Sequence, residues 1–375
     1  MADFYRADRG VLNVIQILKL TLMQVRADAW IYGIILLYTA FGIALLSLTG
    51  NQTRASYDMY IGQWTTLFLF SMPVVSLAIE ASFAVYRHGG RQTLAFGQVF
   101  SVRRLAKLFS GMALLMGLMV FQGTFTSIKN VLPLLNGGFP HDVLQADIDT
   151  WLHLGFEPWR LLHAIAGYGA VRSLVEFNYN FLWFLGCFGG LFFVATSPRA
   201  QAVRGRYMAM FMLTWIVCGN IFAGLFLSAG PVFYGAVTGD TGRFADLTDF
   251  LNVSEWQHSA ASYQRYLWSL HEQGIPGFGS GISAFPSMHV ALISFNAFFL
   301  AEYSKRLGIV AFAYTSLVAL SSVYLGWHYA IDGYAAFALV AVCHFALRRL
   351  MTASPSRVPI IAADPLPVPL QDMAA

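Results

Sequence analysis

Residues 30–49 read WIYGIILLYTAFGIALLSLT, a run of 20 residues without a charged side chain. A helix needs about 20 residues to cross a hydrocarbon core of about 30 Å, so this run predicts a transmembrane helix. Similar runs follow at roughly 61–86, 106–127, 175–197, 206–229, 286–303, 307–326 and 328–347. The chain is therefore expected to be an all-α integral membrane protein with about eight transmembrane helices.

The composition of the whole chain supports this fold class. Of its 375 residues, 57% are apolar and 11% are charged, whereas soluble domains carry about 25% charged residues. High hydrophobicity excludes a disordered chain, and three cysteines are too few for a disulfide scaffold. The net charge of +4 is too small to indicate a nucleic-acid partner.

The distribution of lysine and arginine predicts the orientation, because loops rich in these residues stay on the cytoplasmic side. With the N-terminus inside, the cytoplasmic segments hold 17 of the 23 basic residues. The outer segments hold the remaining six: Arg54, Lys129, Arg160, Arg172, Arg243 and Arg265. Both termini are thus predicted to be cytoplasmic, and the two longest loops, at roughly 128–174 and 230–285, to lie outside.

The two ends of the chain differ from the apolar spans. Apolar residues recur at helical spacing within residues 1–29, between basic residues, which predicts an amphipathic cytoplasmic helix on the membrane surface. Residues 351–375 contain several prolines, which cannot continue a helix, so this tail is expected to be disordered. We expect no cleaved signal peptide.

Residues 281–289, GISAFPSMH, open the sixth span and are called here the Pro-Ser-His segment. Pro286 suits the first turn of a helix, where a missing N–H costs nothing. Ser287 and the free backbone donors after it predict an anion site at the positive end of the helix dipole. His289 follows close to any phosphate bound there.

Residues 321–332, SSVYLGWHYAID, lead into the last span and are called the His-Asp segment. His328 and Asp332 are four residues apart and share one helix face, so the carboxylate can accept a hydrogen bond from one ring nitrogen. The other nitrogen is then left unprotonated and nucleophilic. In the predicted topology, His289 and His328 both lie at the outer ends of their spans.

These two segments resemble the second and third motifs of the type 2 phosphatidic acid phosphatase superfamily, over roughly residues 120–345. The resemblance is to the branch that contains inositol phosphorylceramide synthases and related bacterial membrane phosphatases. It implies a six-helix core in which His328 attacks phosphorus to form a phosphohistidine. Asp332 would orient His328, and His289 would protonate the leaving oxygen. The resemblance implies no metal or other cofactor.

Weaker likeness to this branch extends to residues 128–130 (IKN), 147–151 (DIDTW) and 229–234 (AGPVFY). The superfamily's common first motif, a Lys followed seven residues later by Arg-Pro, has no match, since the chain has no Arg-Pro dipeptide. Ser322 also stands where the common third motif has Arg. The cations available to bind phosphate on the outer side, beside Ser287, are therefore Lys129, Arg243 and Arg265.

The resemblance divides the chain into four parts. Residues 1–29 form the amphipathic segment, 30–105 two N-terminal transmembrane helices, 106–350 the six-helix catalytic core and 351–375 the Pro-rich tail. The expected activity is that of a membrane phosphoesterase or phosphotransferase that acts at the extracytoplasmic face on a phospholipid or lipid phosphate of the bilayer. Whether the phosphoryl acceptor is water or a lipid alcohol stays open.

Two alternatives remain at this point. His289, His328 and Asp332 could form a two-histidine, one-carboxylate metal site. Alternatively, the intramembrane histidines and Glu80 could relay protons in a transporter. The sequence does not decide whether Glu80 makes a buried polar contact or belongs to a relay.

The charge distribution makes a testable prediction about topology. Reporters fused near Gly89 and Ala200 should report a cytoplasmic location, and reporters near Gly137 and Thr248 an outer location, because of the 17 to 6 division of basic residues. Accessibility of single introduced cysteines to an impermeant reagent would check the result. An inner location for residues 230–285 would contradict the predicted side of the site.

Overall fold

The computed structural model describes residues 2–254 and 256–352, which form helices joined by loops and contain no β-strand. This confirms the predicted all-α class. The helices are α1 Ala2–Ala27, α2 Ala29–Leu48, α3 Gln52–Arg87, α4 Gln92–Val99, α5 Val102–Leu135, α6 Asp142–Leu152, α7 Pro158–Ala166, α8 Gly169–Thr196, α9 Pro198–Leu225, α10 Tyr234–Thr238, α11 Ala245–Asn252, α12 Ala260–Gln273, α13 Met288–Tyr303, α14 Lys305–Tyr324 and α15 Ala330–Thr352.

Seven helices of the described chain are long and apolar enough to cross a membrane, namely α2, α3, α5, α8, α9, α14 and α15. The protein is therefore an integral multi-pass membrane protein. Helices α3, α8 and α9 each contain a π-helical segment, at Thr66–Ser71, Asn178–Leu182 and Val217–Phe222.

The sixth predicted span, 286–303, is shorter in the structure than expected. Helix α13 has 16 residues, or about 24 Å. It begins late because Ser287 is its N-cap, with Oγ accepting from the Val290 N–H at 3.4 Å, and it ends where Ser304 becomes extended. Every residue from Val290 to Ala297 is buried, because α13 packs against α8, α9, α14 and α15. It is the central helix of the bundle.

Ion pairs connect helices at the end of the bundle opposite to His289, with Glu80 37% exposed and the other three members buried. Asp28 pairs with Arg204 on α9. Glu80 pairs with Arg104 through two hydrogen bonds, of 2.7 and 2.8 Å, which answers the question that the sequence left open. Both oxygens of Glu80 are thus occupied by a cation on α5, and this carboxylate stabilises helix packing.

Helix α1 has the amphipathic character that the sequence predicts. Val14, Ile15, Leu18 and Leu22 are all more than half exposed, so its apolar stripe faces outward, as a membrane-surface helix requires. Within the described side chains, the Thr21 hydroxyl donates to the backbone of α5 at 3.4 Å. Residues 353–375, most of the Pro-rich tail, lie outside the described residues, and the four-part division of the chain stays a prediction.

Candidate active site

A loop at residues 228–232 connects the two segments that the sequence singled out. The Ala284 N–H donates to the Ser228 carbonyl at 2.8 Å, and the Val232 N–H donates to the Gly326 carbonyl at 3.2 Å. Gly230 has a φ of +100°, and a Cβ there would lie 2.6 Å from a backbone oxygen of the His-Asp segment. Only glycine fits this conformation and this close approach. The loop therefore fixes one segment relative to the other.

The loop is in turn held by the carboxylate of Asp142, at the start of α6. Asp142 accepts hydrogen bonds from the Ala229 N–H at 2.7 Å, the Gly230 N–H at 2.9 Å and the Tyr329 hydroxyl at 2.9 Å. Burial raises the pKa of Asp142, and the three donors oppose that rise. One carboxylate thus connects the loop to the residue next to His328.

Asp149 lies two turns further along the same face of α6. Its Oδ1 accepts from the Ile331 N–H at 3.0 Å, which is one of the backbone donors left free at the start of α15. Burial raises the pKa of Asp149, and hydrogen bonds from Ile331 and Ala330 oppose the rise. Asp142 and Asp149 together hold the His-Asp segment from one side.

His328 and Asp332 form the pair that their spacing predicts. His328 Nδ1 lies 3.3 Å from Asp332 Oδ2, and the same oxygen accepts from the Tyr329 N–H at 3.0 Å. Asp332 is completely buried. The carboxylate favours the tautomer with the proton on Nδ1, so Nε2 keeps its lone pair.

The surroundings of His328 keep its ring neutral. Burial lowers the pKa of His328 to about 3; the Ala284 backbone carbonyl opposes this shift, and the positive charge of Lys129 adds to it. A neutral imidazole is the form that can act as a nucleophile. Because this environment disfavours the charged ring, His328 stays unprotonated across the physiological pH range.

Ser287 joins the two segments directly. Its backbone N–H donates to the Asp332 carbonyl at 3.1 Å, and its Oγ caps α13 by accepting from Val290. Both groups therefore have structural partners in this conformation. The Ser287 hydroxyl hydrogen is the group that remains for a phosphate oxygen.

Two aromatic residues of α8 hold the ring of His289. The ring centroid of Tyr179 lies 4.1 Å away at an interplanar angle of 16°, and that of Trp183 lies 4.0 Å away. Trp183 Nε1 also donates to the His289 carbonyl at 2.9 Å. The sequence analysis missed both residues. The polar run Asn178-Tyr179-Asn180 inside an apolar span was the one signal that could have indicated them.

Lys129 is the predicted cation that lies beside both segments. It stands near the end of α5, and its stem packs so closely against Gly281 that a Cβ there would lie 2.9 Å from Lys129 Cγ. Within the described chain its ammonium makes no hydrogen bond or ion pair, and its charge acts on His328. Lys129 can therefore neutralise an anion bound between the histidines.

The two predicted arginines are placed differently. Arg243 is bound to Asp147 at 2.6 Å and to Glu157 at 3.1 Å, although Glu157 also lines a small cavity at His328. Arg265 donates to Asn252 at 3.1 Å and lines a separate cleft that none of the predicted catalytic residues lines. The structure thus places Lys129 near the histidines. Arg243 binds Glu157, a residue that lines the cavity at His328, and Arg265 lies in a different cleft.

The geometry gives no support to the metal alternative. In residues 2–254 and 256–352, no three His, Cys, Asp or Glu side chains are grouped as metal ligands would be. His328 directs one ring nitrogen at Asp332, and the ring of His289 is packed between aromatic neighbours of α8. The arrangement is that of an orienting carboxylate and its histidine.

Comparison with known proteins adds one finding. A family model described as the PAP2 superfamily matches residues 145–346, more than half of the chain. The matched region contains both segments and α8, whereas Lys129 and Asp142 lie before it. No curated protein and no solved structure matches the chain.

The hydrogen bond from Ile331 to Asp149 makes a testable prediction. Asp149→Ala should lower the turnover of a lipid phosphate about a hundredfold, because loss of this acceptor lets His328 shift and small misplacements of that kind are costly. Initial rates in detergent would measure the loss. Asp246→Asn, at a carboxylate 74% exposed, is the control and should keep its activity; equal rates for both variants would contradict a positioning role.

A second prediction concerns the cation at the histidines. Lys129→Met should lower kcat by about 10²–10³, the typical cost of losing a donor that stabilises transition-state charge. Arg265→Gln should have a much smaller effect, because Arg265 lies in the other cleft. Steady-state kinetics of both variants check this. Full activity in Lys129→Met together with a loss in Arg243→Gln would assign the phosphate to Arg243 instead.

Proposed function

The chain belongs to the PAP2 superfamily, and we propose that it is a membrane lipid phosphatase or phosphotransferase that acts through a phosphohistidine. The observation that carries the proposal is the His328–Asp332 pair, 3.3 Å apart and buried. A neutral histidine oriented by a carboxylate is equipped for nucleophilic attack. His289 and Lys129, at the same end of the bundle, supply the acid and the positive charge.

The first chemical step transfers the phosphoryl group to the enzyme. Nε2 of His328 attacks phosphorus, an N–P bond forms, and the bond between phosphorus and the leaving oxygen breaks. The bound phosphate anion favours a proton on His289, which gives this proton to the leaving oxygen, and the oxygen departs as an alcohol. Asp332 stabilises the positive charge that develops on the His328 ring, and Lys129 faces the charge on the phosphoryl oxygens.

The second step returns the enzyme to its starting state. Neutral His289 takes a proton from the attacking hydroxyl group, whose oxygen forms a new bond to phosphorus while the N–P bond breaks. When the hydroxyl belongs to water, the product is free phosphate or a phosphorylated head group. When it belongs to a lipid alcohol, the product is a new phospholipid.

Three segments favour the transferase branch that the sequence resembles. Residues 128–130, 147–151 and 229–234 carry the weaker likeness to inositol phosphorylceramide synthases. In the structure they contribute Lys129, Asp149 and part of the loop that joins the two segments. Transfer of inositol phosphate or another head group to a lipid alcohol is therefore the finer form of the proposal.

The proposed side of the membrane is extracytoplasmic. The excess of basic residues in the predicted cytoplasmic loops favours an outer location for both histidines. The head group would reach the site from water while its acyl chains remain in lipid. The experiment incubates purified protein with labelled phospholipids, with and without a lipid alcohol, and follows free phosphate and new lipid products together.

The two histidines should respond differently to substitution, which makes a testable prediction. His328→Ala should abolish covalent labelling with every substrate, because attack needs the nucleophile whatever the leaving group. His289→Ala should lose most activity on a lipid alkyl phosphate but still form a phosphoenzyme from an activated aryl phosphate, whose leaving group needs no proton. Asp332→Asn should lie between them.

Rapid quenching followed by a search for acid-labile, base-stable label measures this division of roles. Label that persists in His328→Ala and disappears in His289→Ala would reverse the two assignments. Wild-type protein that turns over substrate without any label in a single turnover would indicate direct attack by water.

A further inference from the structure

The side chain of Tyr179 contacts His289 but has no role in the proposed mechanism. It lies in the π-helical segment Asn178–Leu182 of α8, is 1% exposed and stacks on His289 with ring centroids 4.1 Å apart. Its hydroxyl is buried and has no hydrogen-bond partner. A buried hydroxyl without a partner is costly, typically about 1–3 kcal/mol.

Asp332 has a buried acceptor oxygen without a donor. Its Oδ2 has two partners, the His328 ring and the Tyr329 N–H, whereas its Oδ1 is buried and has none. Tyr179 lies near this carboxylate, because it stacks on His289 and Ser287, two residues before His289, donates its N–H to the Asp332 carbonyl at 3.1 Å. A single link from the hydroxyl to Oδ1 would satisfy both groups.

We propose that Tyr179 is a positioning residue that joins the two halves of the site. Its ring holds His289, and its hydroxyl is linked to Oδ1 of Asp332 through one bridging water molecule. The inference rests on the proposed function, since it assigns Tyr179 to the same reaction. It adds a residue that neither segment of the sequence indicated.

The proposed link would favour the ionised form of Asp332 over its neutral form. The titratable and charged groups that face this carboxylate are His328, Tyr179, Tyr329, Asp142 and Asp149, with Lys129 beside His328. Two of them are carboxylates, whose charge disfavours ionisation of a third. A donor on Oδ1 favours the charged form and leaves Oδ2 to accept from His328.

The π-helical segment places the ring. Tyr179 and Trp183 are four residues apart in α8, and both contact the imidazole of His289. Insertions of this kind in helices are frequent at functional sites because they redirect a side chain. Trp183 also bonds the backbone of His289, so the two aromatic residues restrict both the ring and its main chain.

The test uses two substitutions at Tyr179 and one matched control. Tyr179→Phe keeps the stacked ring and removes the donor, whereas Tyr179→Leu removes both. The control is Tyr207→Phe, because Tyr207 is also fully buried and its hydroxyl donates to Asn296 at 2.7 Å. The control therefore loses a real hydrogen bond elsewhere in the bundle.

Tyr179→Phe should slow phosphoenzyme formation about tenfold to a hundredfold with both alkyl and aryl phosphates, the usual effect of losing a hydrogen bond to a charged group. Tyr179→Leu should also misplace His289, because the stacked ring is gone. The rate of phosphoenzyme formation should therefore fall more with the alkyl than with the aryl phosphate. Tyr207→Phe should stay within a factor of about two of wild type at equal folded fraction. Equal rates in Tyr179→Phe and Tyr207→Phe would overturn the inference.

A second readout does not depend on activity. The infrared carbonyl band of protonated Asp332, identified by its loss in Asp332→Asn, should appear at higher pH in Tyr179→Phe than in wild type or Tyr207→Phe, because the charged form has lost a donor. The same midpoint in all three proteins would disprove the link. If wild type turned over no phosphoester, the proposed function would fail, and this titration would still decide the role of Tyr179.

Discussion

The arrangement of the site depends on the hydrogen bonds that the carboxylate of Asp142 accepts. Irregular backbone at the end of a membrane bundle is stable only when its polar groups have partners. Asp142 gives partners to the N–H groups of Ala229 and Gly230 and, through the Tyr329 hydroxyl, binds the residue next to His328. The loop that begins there holds the Pro-Ser-His and His-Asp segments in register. The position of His328 therefore depends on Asp142, a residue almost 200 positions earlier in the chain.

The chemical groups of the site come from separate helices, each of which supplies one property. Helix α6 supplies the carboxylates that bind backbone N–H groups, and α8 supplies the aromatic rings against His289. Helix α5 supplies Lys129, whose ammonium has no ion-pair partner among the described residues. The start of α13 and the turn before α15 supply the two histidines. Because α13 is buried from Val290 to Ala297, the helix that carries His289 is anchored in the core. The arrangement is preorganised, which is how electrostatic stabilisation of a transition state becomes effective.

Features that depend on residues close together in the chain could be predicted from the sequence. Apolar runs located seven spanning helices and the shorter α13, and a spacing of four located His328 against Asp332. Contacts between distant parts of the chain were not predictable. Tyr179 and Trp183 resemble lipid-facing aromatic residues until the fold places them on His289, over 100 residues away. Arg243 and Lys129 were equivalent outer-side cations in the sequence, but the fold alone gives Arg243 two acidic partners and Lys129 none in the described chain.

Because α13 is short, the thickness of the bilayer would affect how easily water reaches the site. Helices α13 and α14 meet at Ser304, and α14 is four residues longer, so α14 extends about 6 Å further along its own axis than α13 does along its axis. In the proposed mechanism the phosphoryl group on His328 would form beside the start of this short helix, where Ser287 donates to the Asp332 carbonyl. A thicker membrane would lengthen the path that water must travel to the site, whereas local thinning would shorten it. The lifetime of a covalent intermediate would then depend on the membrane in which the protein resides.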